Sequence, residues 1–198
     1  MNDDRLLHAA LQDAADTRQV VIGSGALASA AGVFKQACGD QPAIIIADEN
    51  TFDVAGREVQ RQLAAAHLNP IEPFIFPGQP QLHADYEHVL ELEAALRQHD
   101  ALPVVVGSGT LNDLTKLAAH RCERPCLIVA TAASMDGYIA FGAAITRAGF
   151  KQTLACPAPR GRSRCRGVDR GACPHVLRIC LLPAASGLKP EKIVLPAT

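Results

Sequence analysis

The run Val104-Val105-Val106-Gly107-Ser108-Gly109-Thr110-Leu111-Asn112-Asp113-Leu114 carries the clearest candidate chemistry in this chain. Three β-branched apolar residues lead straight into two glycines, and an amphipathic segment begins at once. Val104 to Val106 read as a strand buried on both faces. Gly107 and Gly109 allow a sharp turn and a close approach of backbone to a ligand. Thr110 can cap the helix that follows, with Asp113 three residues on as in a capping box. Leu111, Leu114 and Ala118 then recur at helical spacing. A glycine turn that opens onto a helix N-terminus offers free N–H groups and the positive end of the helix dipole to an anion, most commonly a nucleotide phosphate. A tight turn with no ligand is the alternative. Asn112 stands where a dinucleotide fingerprint has its third glycine, and no Gly-Lys-Ser/Thr follows, so neither that fingerprint nor a P-loop is complete. Asp113 would also repel a phosphate placed too near.

Two further stretches have polar residues at strand ends. Ala43 to Ala47 read as a strand closed by Asp48-Glu49-Asn50. An acidic residue about 20 positions after a glycine turn can hold a ribose hydroxyl pair. Asp48 can equally cap the helix expected from Asp53 to Ala66. The loop Thr131-Ala132-Ala133-Ser134-Met135-Asp136-Gly137 follows the strand expected over Cys126 to Ala130. Its hydroxyls and backbone N–H groups can hold a nicotinamide or a substrate, and Asp136 can accept hydrogen bonds from a polyol; a helix cap explains the same composition.

The elements that must position these residues alternate along the chain. Leu6 to Ala15 read as a short helix and Gln19 to Ile22 as a strand, closed by Gly23-Ser24-Gly25-Ala26-Leu27-Ala28, which fits G-x-G-x-x-A better than the central turn does. A helix to about Cys38 follows. Ile71 to Phe76 form a strand stopped by Pro77-Gly78, and His83 to His99 a long amphipathic helix on which Tyr86 and His88 are surface or packing residues. Strands alternating with helices imply an α/β fold with an open parallel sheet, Rossmann-like, and ligands of such sheets gather at the carboxyl ends of the strands. Gly23, Asp48, Gly107 and Thr131 all fall there.

A length of 198 residues suffices for one sizeable domain, and 48% hydrophobic with 20% charged content is ordinary for a globular protein. A net charge of −1 gives no global field toward nucleic acid or an anionic membrane. No apolar run is long enough to span a bilayer, and the acidic start Met1-Asn2-Asp3-Asp4 has no signal-peptide core. The expected location is cytoplasmic, with no nucleic-acid and no membrane partner. Seven cysteines without a CxxC pair suggest free thiols.

Gly107-Ser108-Gly109-Thr110-Leu111-Asn112-Asp113 together with Thr131 to Tyr138 resembles the sn-glycerol-1-phosphate dehydrogenases, in particular their bacterial branch, within the wider group of glycerol dehydrogenase, dehydroquinate synthase and iron-containing alcohol dehydrogenase. Ala47-Asp48-Glu49-Asn50-Thr51 and Gly149-Phe150-Lys151 are similar too, and the resemblance runs from the N-terminus to about Pro159. It implies an NAD- or NADP-dependent reaction between dihydroxyacetone phosphate and sn-glycerol 1-phosphate, so the expected partner is a small phosphorylated polyol; a homodimer is compatible with it. By position, Asp48 would meet the adenosine ribose. Gly107, Ser108, Gly109, Thr110 and Leu111 would cradle the pyrophosphate. Thr131, Ala132, Ala133 and Ser134 would line the nicotinamide side, and Asp136 would touch the substrate. The family has a serine where Ala140 stands, which removes one cofactor hydrogen bond. The resemblance also shifts the cofactor from the Gly23 turn to the Gly107 turn.

The resemblance divides the chain into an NAD(P)-binding α/β domain over 1–159 and an irregular tail over 160–198. Past Pro159 the family continues with a strand, a helix bearing a metal-binding Asp, and a helical domain that supplies two His ligands to a divalent metal, Zn or Ni. Here Arg160-Gly161-Arg162-Ser163-Arg164-Cys165-Arg166-Gly167 follows instead. Arginine and cysteine rise, acidic residues nearly vanish, and helical periodicity is lost. Cys165, Cys173, His175 and Cys180 fit no ordinary zinc spacing, and no aromatic residues interleave for base stacking. The expectation is a shifted reading frame, no counterpart of the metal ligands, no assigned catalytic residue, and a truncated, weakly active or inactive chain. A non-catalytic nucleotide-binding remnant and a dehydrogenase of glycerol or another polyol are the competing readings.

Overall fold

The structure, a computed structural model, describes residues 20–21, 25–132, 138 and 141–156, and the backbone of 177–179. Among the described residues, six parallel strands form one sheet in the order β1-β8-β5-β4-β2-β3. These are β1 (Val20–Val21), β2 (Ala43–Asp48), β3 (Phe74–Phe76), β4 (Leu102–Gly107), β5 (Leu127–Ala130) and β8 (Leu177–Ile179). β6 (Ala143–Arg147) and β7 (Phe150–Leu154) make a separate antiparallel pair.

The two-residue period of the strands divides the core into two layers. Ile45 and Ala47 of β2, Val104 and Val106 of β4 and Leu127 and Val129 of β5 pack on one side, against α1 (Ala30–Cys38) and α3 (Arg57–Ala65). Ile44, Ile46, Val105, Ile128 and Ala130 pack on the other, against α4 (Tyr86–Leu96) and α5 (Gly109–Arg121). Burial on both faces is why these strands are unbroken apolar runs. On the second side Glu93 of α4 joins the helices: its carboxylate accepts from Arg97 at 2.6 Å and from Arg121 of α5 at 2.5 Å. Burial alone would raise the Glu93 pKa, and these two guanidiniums outweigh it and lower it.

Several boundaries differ from those the sequence suggests. The helix expected from Asp53 begins at Glu49, as α2 (Glu49–Thr51) running through a π turn (Phe52–Gly56) into α3. Asp48 caps it: its carboxylate accepts from the Thr51 N–H at 2.7 Å, and the Asp48 N–H donates to the Thr51 hydroxyl at 3.1 Å. The strand expected over 71–76 is confined to Phe74–Phe76. The β6–β7 pair turns at Ala148 and Gly149, both with positive φ, the twist that suits a two-residue hairpin. Within the stretch expected to be irregular, Leu177–Ile179 is a strand that pairs in parallel with both β1 and β5; the rest of that stretch lies outside the described residues. Among the described residues no helix is long and apolar enough to cross a membrane.

Candidate functional site

Three adjacent parallel strands end side by side. β2 closes on Asp48, β4 on Gly107, and β5 on Ala130, which pairs in register with Gly107. The Thr131 N–H donates to the Gly107 carbonyl at 3.1 Å, so the Gly107 and Thr131 turns share one edge, as expected. At the β2 and β4 ends lies a cavity of about 290 Å³. Asp48 lines it from the end of β2, Asn50 from α2, the Pro77–Gln79 turn from beyond β3, and Ser108, Thr110 and Leu111 from the start of α5.

The α5 end of the site departs from the expected cap. Ser108, in extended backbone with φ −95°, is the N-cap residue, and its side chain makes no capping hydrogen bond. Thr110 is therefore inside the first turn and does not cap. The Ser108 carbonyl accepts from the Asn112 N–H at 3.0 Å. The first N–H groups of a helix have no partner within it, so the α5 start offers amides beside the Ser108 and Thr110 hydroxyls. Gly107 has a further reason to be glycine. A Cβ there would lie 2.3 Å from Leu111 Cδ1 and 2.9 Å from its Cβ, so the missing side chain is what lets α5 close over the end of β4.

Asp113 is not part of a capping box either. Its carboxylate accepts from the Ala144 N–H of β6 at 3.1 Å and lies 3.4 Å from Lys116 Nζ, which is 5% exposed. The charge that would oppose a phosphate is thus offset by a buried ammonium, and it ties α5 to the hairpin. Asn112, at the third-glycine position, is fully buried, and its Oδ1 has no hydrogen-bond partner among the described residues.

On the β5 side, Thr131 and Ala132 are half-buried. Buried Tyr138 holds this segment: its hydroxyl donates to the Ala132 carbonyl at 3.0 Å and accepts from the Ala132 N–H at 3.3 Å. Ala133, Ser134 and Asp136 lie outside the described residues, as does Gly23. Cys38, Cys122, Cys126 and Cys156 carry no disulfide. Burial pushes the Cys156 thiol up to about 11, with Lys116 acting in the opposite sense. Among the described residues no His, Cys, Asp and Glu cluster could hold a metal ion.

Three contributors carry little signal in the sequence. Glu49 accepts from the Gly78 N–H at 3.0 Å across 29 positions and fixes the Pro77–Gln79 wall; no local pattern reports such a contact. Lys116 was hidden in an amphipathic helix. Tyr138 was visible only as a residue of the family motif.

The profile of a family described as iron-containing alcohol dehydrogenase matches residues 21–162. Relatives named glycerol-1-phosphate dehydrogenase (NAD(P)+) include one from Methanosarcina mazei, 34% identical over 72% of this chain and 38% of its own length. Another, from Halalkalibacterium halodurans, is 33% identical over 58% of this chain and 29% of its own length. The chain thus spans well under half of each. Among solved structures, maleylacetate reductase from Agrobacterium tumefaciens superposes with a TM-score of 0.58 at 18% identity, over 84% of this chain and 42% of that one. An iron-containing alcohol dehydrogenase from Thermococcus thioreducens does so with 0.58 at 17% identity, over 81% and 44%. At these identities the structural likeness speaks to the fold.

Proposed function

Because the chain belongs to the iron-containing alcohol dehydrogenase family, we propose that its α/β part is the NAD(P)-binding portion of a dehydrogenase of the glycerol-1-phosphate type, acting between dihydroxyacetone phosphate and sn-glycerol 1-phosphate. The observation that carries this is the meeting of Asp48, Ser108, Thr110 and Leu111 around one cavity at the carboxyl ends of neighbouring parallel strands, with Thr131 bonded to Gly107 at the same edge, where sheets of this kind bind nucleotides. The site fits such a cofactor. Asp48 presents a carboxylate to a ribose diol. The α5 amides, with Gly107, Gly109, the Ser108 and Thr110 hydroxyls and the Leu111 backbone, receive the pyrophosphate. Thr131 and Ala132, with Ala133 and Ser134 beyond the described residues, face the nicotinamide, and Asp136 orients the substrate. Bound there, the cofactor supplies the hydride chemistry; the protein binds, orients and excludes water.

The relatives' names support the substrate class. The test is the nicotinamide emission of NADH titrated with the full chain, which contains no tryptophan to interfere. A saturable rise that NAD+ competes away is expected, and no saturation would overturn the reading. Dihydroxyacetone phosphate added to that complex should tighten NADH binding. Tightening by glycerol alone would transfer the reading to an unphosphorylated polyol.

A further inference from the structure

We propose that the free edge of β7 is a docking site for an extended acidic segment of another protein, which adds a third strand to the β6–β7 ribbon. The two edges of this ribbon differ. Ala148 and Gly149, both with positive φ, close it as a two-residue turn, so Arg147 and Phe150 form the first hydrogen-bonded pair. Bonded and non-bonded pairs then alternate along an antiparallel ladder. The N–H groups of Ala144 and Thr146 therefore point out from β6, and both are taken. Ala144 donates to the Asp113 carboxylate at 3.1 Å, and Thr146 to the Ala84 carbonyl at 2.7 Å. By the same alternation, the N–H and C=O groups of Lys151 and Thr153 point out from β7. Among the described residues no strand pairs with them.

Charge identifies the occupant. Residues 141–156 carry Arg147 and Lys151 and no aspartate or glutamate. Asp113, the carboxylate bonded to the ribbon, lies on the opposite edge. The Arg147 guanidinium stands 4.6 Å from the Tyr86 ring centroid, and Phe150, paired with Arg147 across the ribbon, is 73% exposed. Nothing in β7 refuses a strand: it has no proline, and its register with β6 runs unbroken from Phe150 to Leu154. A lysine in the middle of an edge does work against self-pairing. A second copy paired about Gln152 would set Lys151 diagonally across from its own counterpart. Side chains alternate across a strand. The partner that fits therefore sets acids beside Lys151 on one face and apolar residues beside Phe150 on the other. In such strand addition the backbone bonds give affinity and the alternate side chains give specificity.

The experiment titrates the full chain into a fluorescein-labelled peptide of alternating glutamate and valine and reads its anisotropy. A lysine–valine peptide is the control, and wild type is compared with Thr153→Pro and Lys151→Glu. Proline at position 153 removes one outward N–H and leaves the bonds to β6 intact; a thermal melt verifies that this variant is folded. Wild type should bind the acidic peptide alone, and high salt should weaken the complex. Each variant should bind the acidic peptide at least about 10-fold more weakly, and Lys151→Glu should gain affinity for the lysine–valine peptide. If Thr153→Pro loses its cooperative melt, Lys151→Glu, on an exposed side chain, decides alone. No binding of the acidic peptide, equal binding of both peptides, or affinity unchanged in the folded variants would overturn the proposal. Self-association of the full chain in sedimentation, abolished by Thr153→Pro, would overturn it too and assign the edge to a second copy.

Discussion

The two halves of the sheet are built to different standards. β2 and β4 are six residues each, pair over four positions, and are covered by helices on both faces. β1 has two residues, both half-buried, and meets the sheet through the three residues of β8. Every described candidate residue, Asp48, Gly107 to Leu111, Thr131 and Ala132, belongs to the thick half. The lesson concerns choice between motifs. The glycine turn at Gly23 matches a nucleotide fingerprint better than the turn at Gly107 does, yet it follows the thin wing. A site that must hold a ligand to within fractions of an ångström needs strand ends that do not move.

The contrast predicts a gradient of effects. Ile45→Ala, in the fully buried centre of β2, should cost about 2–5 kcal/mol of stability in urea titrations. A loss near zero would mean that the thick half is not the folding core. Gly107→Ala should cost about 1–3 kcal/mol through overpacking against Leu111, and it should weaken NADH binding because α5 shifts. If stability stays put, α5 does not close on β4 as described.

A pH profile sharpens the picture at the hairpin. Cys156 is held protonated up to about pH 11 in the folded chain, against 9.0 for an ordinary thiol. Below pH 9 it is neutral in both states. Between 9 and about 11 only the unfolded chain ionises it, so stability should fall with rising pH across that window, and less so in Cys156→Ala. A profile identical in the variant would show that the thiol is not buried. At the small end, Val21→Ala in the wing should cost under about 1 kcal/mol. Amides of β1 should exchange by local opening, while those of β2 and β4 wait for global unfolding. Equal protection of β1 and β4 would erase the distinction between the halves.

Much of the thick half is legible from residue types. Ala43 to Ala47 and Val104 to Val106 are short apolar runs bounded by turn residues, and both are strands. The departures have physical causes. Thr110 resembles a cap by type, but the chain enters the helix two residues earlier, at extended Ser108. The helix after β2 starts before Asp53, and the sequence hides this because its capping box closes on Thr51, where glutamate or glutamine is the usual signal. The β6–β7 hairpin carries little strand signal: Ala143 and Ala144 are weak strand formers, and only Ala148-Gly149 marks the turn. Leu177–Ile179 is too short to show a period, and its pairing with β1 and β5 is set by residues far away in the chain. The Glu49–Gly78 and Asp113–Ala144 contacts are likewise long-range.

The central claim is that a nucleotide binds where β2, β4 and β5 end. Gly109 opens α5 between Ser108 and Thr110, which both line the cavity, so a branched side chain there should stand where the pyrophosphate approaches. Titration calorimetry of Gly109→Val with NADH, beside a thermal melt to verify folding, tests this directly. The account predicts affinity at least about 10-fold weaker, roughly 1.4 kcal/mol, in a chain that still melts cooperatively. Unchanged affinity in a folded variant would contradict it and place the nucleotide elsewhere.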